Sequence, residues 1–230
     1  MSTRPTALVT GAPRGIGLAI AHELSATHHL FLGGRDQRSL EKLAAGLPYA
    51  EPWAAELRDE DATAAAAQRI TSLDLLVHSA GILRMGTVAE ASTKLWRESF
   101  EVNVFAVAEL TRLLLPALRA RKGQVIAINS GSGYHSGASS AIYSGTKFAL
   151  RALTDALREE ERIHGVRVSS IHPGRVATDM QRELHKWEGS DYSPEAWIQP
   201  VDIARAVRLA VDTPLGSAVE NISIRPSGIS

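Results

Sequence analysis

The chain has no cysteine, which removes disulfides, thiolate metal sites and a cysteine nucleophile from consideration. It has no surplus of charge of either sign, because 25 Lys and Arg face 25 Asp and Glu. Nothing therefore draws the molecule as a whole to nucleic acid or to an anionic membrane. No run approaches the ~18–20 apolar residues that cross a bilayer. The start, MSTRPTALVTG, holds no apolar stretch of leader length before a turn intervenes, so the default reading is a cytoplasmic protein. Solenoid-length repeats, low-complexity tracts and linkers are missing as well, and no metal site is expected.

What is present is an ordinary globular composition, 44% apolar and 22% charged over 230 residues. That length suits one α/β domain with a sizeable core and is short for two. Short apolar strands alternate with amphipathic helices. TALVTG (6–11) precedes GLAIAHELSA (17–26), HLFLGG (29–34) precedes SLEKLAAGL (39–47), and the weaker strand YAEPWAAEL (49–57) precedes DEDATAAAAQRI (59–70). Strand LDLLVHSAG (73–81) is followed by a helix beginning near Lys94 and another from about Phe105 to Arg121. Strands QVIAINS (124–130), VRVSSIHPG (166–174) and ENISIRP (220–226) complete the set, with helices over 141–160 and 201–212. This alternation predicts a single α/β domain over 1–230, a doubly wound, mostly parallel sheet of Rossmann type with helices on both faces. One stretch is off the beat: 177–200 follows a strand end, carries Trp187, Tyr192 and Trp197, and is expected to form a substrate loop or lid. Its tryptophans either line an apolar substrate pocket or pack the lid.

VTGAPRGIG (9–17) joins the first strand to the first helix. Glycines at 11, 15 and 17 allow a tight turn and close approach of a ligand, and the helix N-terminus behind them suits a pyrophosphate. The spacing is G-x-x-x-G-x-G and differs from the usual dinucleotide fingerprint. Gly34 stands where an acid would hold a ribose 2′-hydroxyl, while Arg14 and Arg35 suit a 2′-phosphate. NADP(H) is the expected cofactor, with NAD(H) as the alternative.

In SSAIYSGTKFAL (139–150), Tyr143 and Lys147 stand four apart and share a helix face. A tyrosine of pKa near 10 is a reluctant acid at neutral pH; a neighbouring ammonium is expected to lower it and make it useful for proton transfer. Ser130 ends strand 124–130 at the carboxyl edge, where open α/β sheets bind ligands and a hydroxyl can meet a carbonyl oxygen.

Taken in order, TGAPRGIG (10–17), DLLVHSAG (74–81), NVFAVAELTRLLLPAL (103–118), Ser130, YSGTK (143–147) and HPGRVATDM (172–180) make the chain similar to the compact, single-domain short-chain dehydrogenase/reductase family. The resemblance covers nearly the whole chain. It implies Tyr143 as acid/base, Lys147 as its tuner and a ligand of the nicotinamide ribose, and Ser130 as polariser of the substrate carbonyl. Asn103 would hold a water relaying protons from Lys147. Cofactor contacts would come from Gly11, Pro13, Arg14, Gly15, Ile16, Gly17, Arg35, Glu56, Leu57, Ala80, Gly81, Tyr143, Lys147, Pro173, Gly174, Val176 and Thr178. Two departures stand out. His78-Ser79 replaces the family's paired asparagines, and Glu56-Leu57 replaces an Asp followed by a small apolar residue. His78 is read as a structural substitute, His135 and His172 as surface or packing residues, and 158–164 as a solvated charge run.

The resulting expectation is an NADP(H)-dependent oxidoreductase moving a hydride between nicotinamide and a small-molecule carbonyl or alcohol. The resemblance also implies a homodimer or homotetramer using helices 103–121 and 141–160. The rival readings are a cofactor-binding sensor or scaffold without turnover, and an epimerase or dehydratase; relatives of the latter kind carry an added domain.

Overall fold

The computed structural model describes residues 4–228; the first three residues of the N-terminal reading lie outside the described residues. The chain runs β1 (Thr6–Thr10), α1 (Gly15–Leu24), β2 (His29–Gly34), α2 (Gln37–Ala45), β3 (Ala50–Ala54), α3 (Glu60–Ala67) and β4 (Leu75–His78). It continues with α4 (Thr93–Phe100), α5 (Ala106–Arg121), β5 (Gln124–Ile128), α6 (Ala141–Glu161), β6 (Arg167–Pro173), α7 (Asp179–Glu188), α8 (Pro200–Asp212) and β7 (Asn221–Ile224). The strands pair in the order β3-β2-β1-β4-β5-β6-β7, and every pair is parallel.

Both faces of the sheet are covered, which is why its central strands read as unbroken apolar runs. Ala7 and Val9 of β1 pack with Ile20 and Leu24 of α1, Leu40 of α2, and Ile203 and Val207 of α8. Leu8 points the other way, toward Leu110 and Leu114 of α5 and Leu157 of α6. On β3, Trp53 is buried and its indole N–H donates to the Ala66 carbonyl at 3.0 Å, so its polar end is satisfied.

The two mid-chain helices are one helical run. A π turn over Glu101–Phe105 joins α4 to α5 and contains Asn103. The extra residue of a π turn shifts the apolar stripe, and that break in period is what makes the segment read as two helices. The charge run 158–164 is a solvated face, as expected, with one exception. Glu161 is buried and takes a bidentate pair of hydrogen bonds from Arg119 at 2.9 and 2.7 Å, which ties α6 to α5. Arg158 donates to the Val168 carbonyl. A run of like-coloured letters cannot reveal that its partners come from other elements.

His78 at the end of β4 is buried, with Nε2 2.9 Å from the Thr111 hydroxyl of α5. Burial pushes its pKa down from 6.5 to about 3. Between those values the unfolded chain binds a proton that the folded chain refuses. The neutral imidazole therefore costs nothing above about pH 6.5 and erodes stability as pH falls below it. In His78→Gln, which keeps a polar group near Thr111, the melting temperature falls less steeply between pH 6.5 and 4.5 than in the wild type. Parallel melting curves across that range would refute the assignment.

Candidate active site

From β1 the chain winds outward to β2 and β3, whereas β4 leads the other way to β5, β6 and β7. At the carboxyl ends of such diverging strands a crevice must open. Here it is a cleft of about 750 Å³. Its lining includes Gly11, Pro13, Arg14, Gly15, Ile16, Gly17, Arg35, Glu56, Leu57, Ala80, Gly81 and Thr178, all expected from sequence.

The glycine turn is built for close approach. Gly11 has φ +69°, and a Cβ on it would meet the Ala80 backbone at 3.0 Å. A Cβ on Gly17 would sit 2.2 Å from the Gly11 carbonyl oxygen. The residue preceding α1, Arg14, makes no side-chain cap hydrogen bond, so the first N–H groups of that helix remain available to an anion. Arg14, Arg35 and Ser39 line the same cleft. Arg35 is largely exposed and 3.7 Å from Glu56, while Asp36 turns away to cap α2 through Ser39. Glu56 was expected to reach toward the adenine. Arg58 holds its carboxylate from backbone and guanidinium, which keeps that carboxyl below its ordinary pKa. These residues fit a dinucleotide: a glycine cradle, an open helix end and two arginines on the cleft wall.

Beside the cleft stands a second group. Ser130 stands two residues past the end of β5, and its Oγ accepts the Ser132 N–H at 3.1 Å. Tyr143 faces Ser130 closely enough for that hydroxyl to act on its pKa. Lys147, one turn along α6, is buried, and its Nζ donates to the Ile128 carbonyl at 3.1 Å and lies 5.7 Å from the Tyr143 ring centre. The expected lowering of the tyrosine does not occur in the protein alone. Surrounding protein disfavours the phenolate and raises the Tyr143 pKa, although the residue keeps some exposure; the Ser130 hydroxyl pulls weakly the other way. Burial also brings Lys147 down from 10.5 to about 8. Desolvation thus governs both groups.

Asn103 is buried. Its Oδ1 accepts the Ile82 N–H, and Nδ2 donates to the Ile82 carbonyl and the Thr146 hydroxyl. It therefore ties the loop after β4 to α6, and one lone pair of Oδ1 remains beyond these bonds. Pro173 closes β6, Val176 is buried, and Gly174 packs against Arg225 and Pro226. These three do not line the large cleft.

The segment 177–200 borders the cleft through Thr178, Asp179, Met180 and Glu183. Thr178 caps α7, and a bridge joins Val176 to Ile198. His185 meets the edges of Tyr192 and Trp197, and Arg175 lies over Trp197 while pairing with Glu188. Trp197 thus packs within this segment, whereas Trp187 is 53% exposed. Among the described residues no cluster of potential ligands could hold a metal ion, and no helix is long and apolar enough to cross a membrane. Sequence reasoning set His172 aside as packing. The structure puts its ring nitrogen 3.1 Å from the Ser130 carbonyl, and its nearness to the proline-glycine turn was the only signal in the sequence.

The family profile described as short chain dehydrogenase matches residues 5–189. The chain belongs to the short-chain dehydrogenase/reductase family, a family of nucleotide-binding oxidoreductases. It is 33% identical to the bovine (Bos taurus) dehydrogenase/reductase SDR family member 11, over 96% of this chain and 95% of that one. Its fold matches a metagenomic short-chain oxidoreductase solved with NADP, at 33% identity, 98% coverage of both chains and a TM-score of 0.83. It also matches an alcohol dehydrogenase from Thermococcus sibiricus complexed with 5-hydroxy-NADP, at 26% identity, 97% coverage of both and a TM-score of 0.88.

Because a Cβ at position 17 collides with backbone, Gly17→Ala is expected to weaken NADPH binding about tenfold or more. Titrating nucleotide fluorescence checks this, and unchanged affinity in a folded variant would count against the cradle.

Proposed function

We propose that the protein is an NADP(H)-dependent oxidoreductase that interconverts a small-molecule carbonyl and its alcohol, with Tyr143 as proton donor and acceptor. The observation that carries the reading is the grouping of Tyr143 with Ser130 and with a buried Lys147 whose Nζ lies 5.7 Å from the Tyr143 ring centre, beside a cleft fitted to a dinucleotide. When bound, the cofactor supplies the hydride at nicotinamide C4.

The protein's own residues supply position and the proton. Ser130 Oγ, oriented by the Ser132 N–H, keeps its own hydrogen to donate to the substrate oxygen. Tyr143, held above its ordinary pKa, is a neutral phenol at physiological pH. It gives its proton to that oxygen as the C=O bond becomes C–O–H, and recovers one from solvent afterwards. Lys147, at about 8, is still mostly cationic near neutrality and stabilises the transient phenolate.

The choice of NADP(H) is supported by Arg14 and Arg35 on the cleft wall and by the cofactor bound in the two neighbours named above. Removing either guanidinium deletes a charge-assisted contact to a phosphate. Arg14→Ala and Arg35→Ala should each raise the Kd for NADPH about tenfold while changing that for NADH less than about twofold. Equal losses for both nucleotides would argue against a 2′-phosphate site.

Tyr143→Phe should cut turnover about 10²–10⁴-fold on a panel of aldehydes and ketones while NADPH affinity stays within about twofold. Retained turnover would overturn the assignment. Wild-type protein that binds NADPH tightly yet reduces nothing would favour a cofactor-binding sensor.

A further inference from the structure

Behind Ser130 stands a brace that the proton-transfer scheme does not use. His172 on β6 is fully buried, and its Nδ1 lies 3.1 Å from the Ser130 carbonyl oxygen. A carbonyl only accepts, so the ring must carry its proton on Nδ1 to make this bond. Nε2 faces Asn221 without a well-formed hydrogen bond. The imidazole lies on Tyr134 with ring centres 4.4 Å apart, and the Arg151 guanidinium carbon sits 4.7 Å from the Tyr134 ring centre. Arg151 donates in turn to the Gly133 carbonyl at 3.1 Å. From the opposite side Arg225 donates to the carbonyl of His172 itself at 2.9 Å and crosses Gly131 so closely that a Cβ there would meet its Nη2 at 2.9 Å. The turn from Ser130 to Gly133 is therefore gripped at both end carbonyls and covered in the middle.

We propose that His172 is a positioning residue: its Nδ1–H holds the Ser130 main chain and thereby sets where the Ser130 hydroxyl meets the substrate oxygen. This rests on the reading of Ser130 and Tyr143 given above. The physical need is plain. A serine side chain has one rotatable bond before its oxygen, so an error in the backbone passes straight into the hydroxyl, and displacements near 1 Å at a reacting centre are costly. Ser130 stands two residues past the end of β5 and outside the ladder, so the sheet alone does not fix its carbonyl. Burial, with Arg151 and Arg225 nearby, holds His172 below the usual histidine pKa, consistent with a neutral ring that donates through one nitrogen.

The first test needs no turnover. An imidazole ¹⁵N spectrum of the full protein, with His172 identified as the signal lost on substitution, should show the Nδ1-protonated tautomer. The Nε2-protonated tautomer would overturn the proposal. Kinetics supply the second test. His172→Leu should lower kcat about tenfold, the equivalent of one lost hydrogen bond, with NADPH Kd within about twofold. His172→Asn, which places an amide where Nδ1 stood, should recover to within about threefold, while His172→Gln, whose amide lies at the Nε2 position, should not. In a Ser130→Ala background, His172→Leu should cost nothing further, because the group it positions is gone. Wild-type kcat in His172→Leu, or Asn no better than Gln, would refute the positioning role. If His172→Leu does not fold, the tautomer and the Asn/Gln contrast decide the matter. If Ser130→Ala alone leaves turnover unchanged, the reading of the catalytic group falls, and the spectrum still reports on the His172 bond.

Discussion

The hydroxyl of Thr10 closes the place where β1 and β4 part company. Buried at the end of β1, it accepts the N–H groups of Ser79 and Ala80 and donates to the Val77 carbonyl. One side chain thus satisfies backbone donors that emerge from β4 just as the ladder ends, where bare amides would otherwise be costly. By tying the two diverging strands at their tips, it brings Ala80 against Gly11 and fixes the width of the crevice. The nucleotide cleft, the loop after β4 and the Asn103 bonds to Ile82 all begin from that junction.

The chemistry depends on taking polar groups out of water while leaving each a partner. Lys147 has the Ile128 carbonyl, Tyr143 has Ser130, Asn103 has Ile82 and Thr146, and His78 has Thr111. Desolvation then sets the protonation states: a phenol that keeps its proton, an ammonium near its titration point and a neutral imidazole. Buried networks of this kind are rigid when fully paired, which suits a site that must hold a hydroxyl and a phenol in fixed relation. His78 and Thr111 also explain how this chain dispenses with an asparagine at that strand end, since the imidazole crosses to α5 instead.

Much of the fold was legible in the sequence. The alternation of short apolar strands and amphipathic helices placed seven strands and their order of appearance, because a sheet covered on both faces leaves unbroken apolar runs such as Leu75–Val77. The glycine turn, Ser130 and the Tyr143–Lys147 pair were legible for a similar reason: each needs a particular residue type at a short, local spacing. The π turn at Asn103 was not, since a one-residue insertion in a helix looks like two helices with a gap. The buried Glu161–Arg119 pair was hidden too, because its members are 42 positions apart and one sits within a run that reads as solvent-facing.

By itself the sequence determined the class of fold and the dinucleotide turn, and it singled out Ser130, Tyr143 and Lys147 as candidates, all through local periodicity and side-chain chemistry. Only the tertiary structure decided how far water is excluded from Tyr143 and Lys147, and hence the direction in which each pKa moves. It alone placed His172, Tyr134, Arg151 and Arg225 around the turn after Ser130, residues drawn from four separate stretches of chain. Burial and long-range hydrogen bonds are properties of how elements pack, and no window of neighbouring residues contains them.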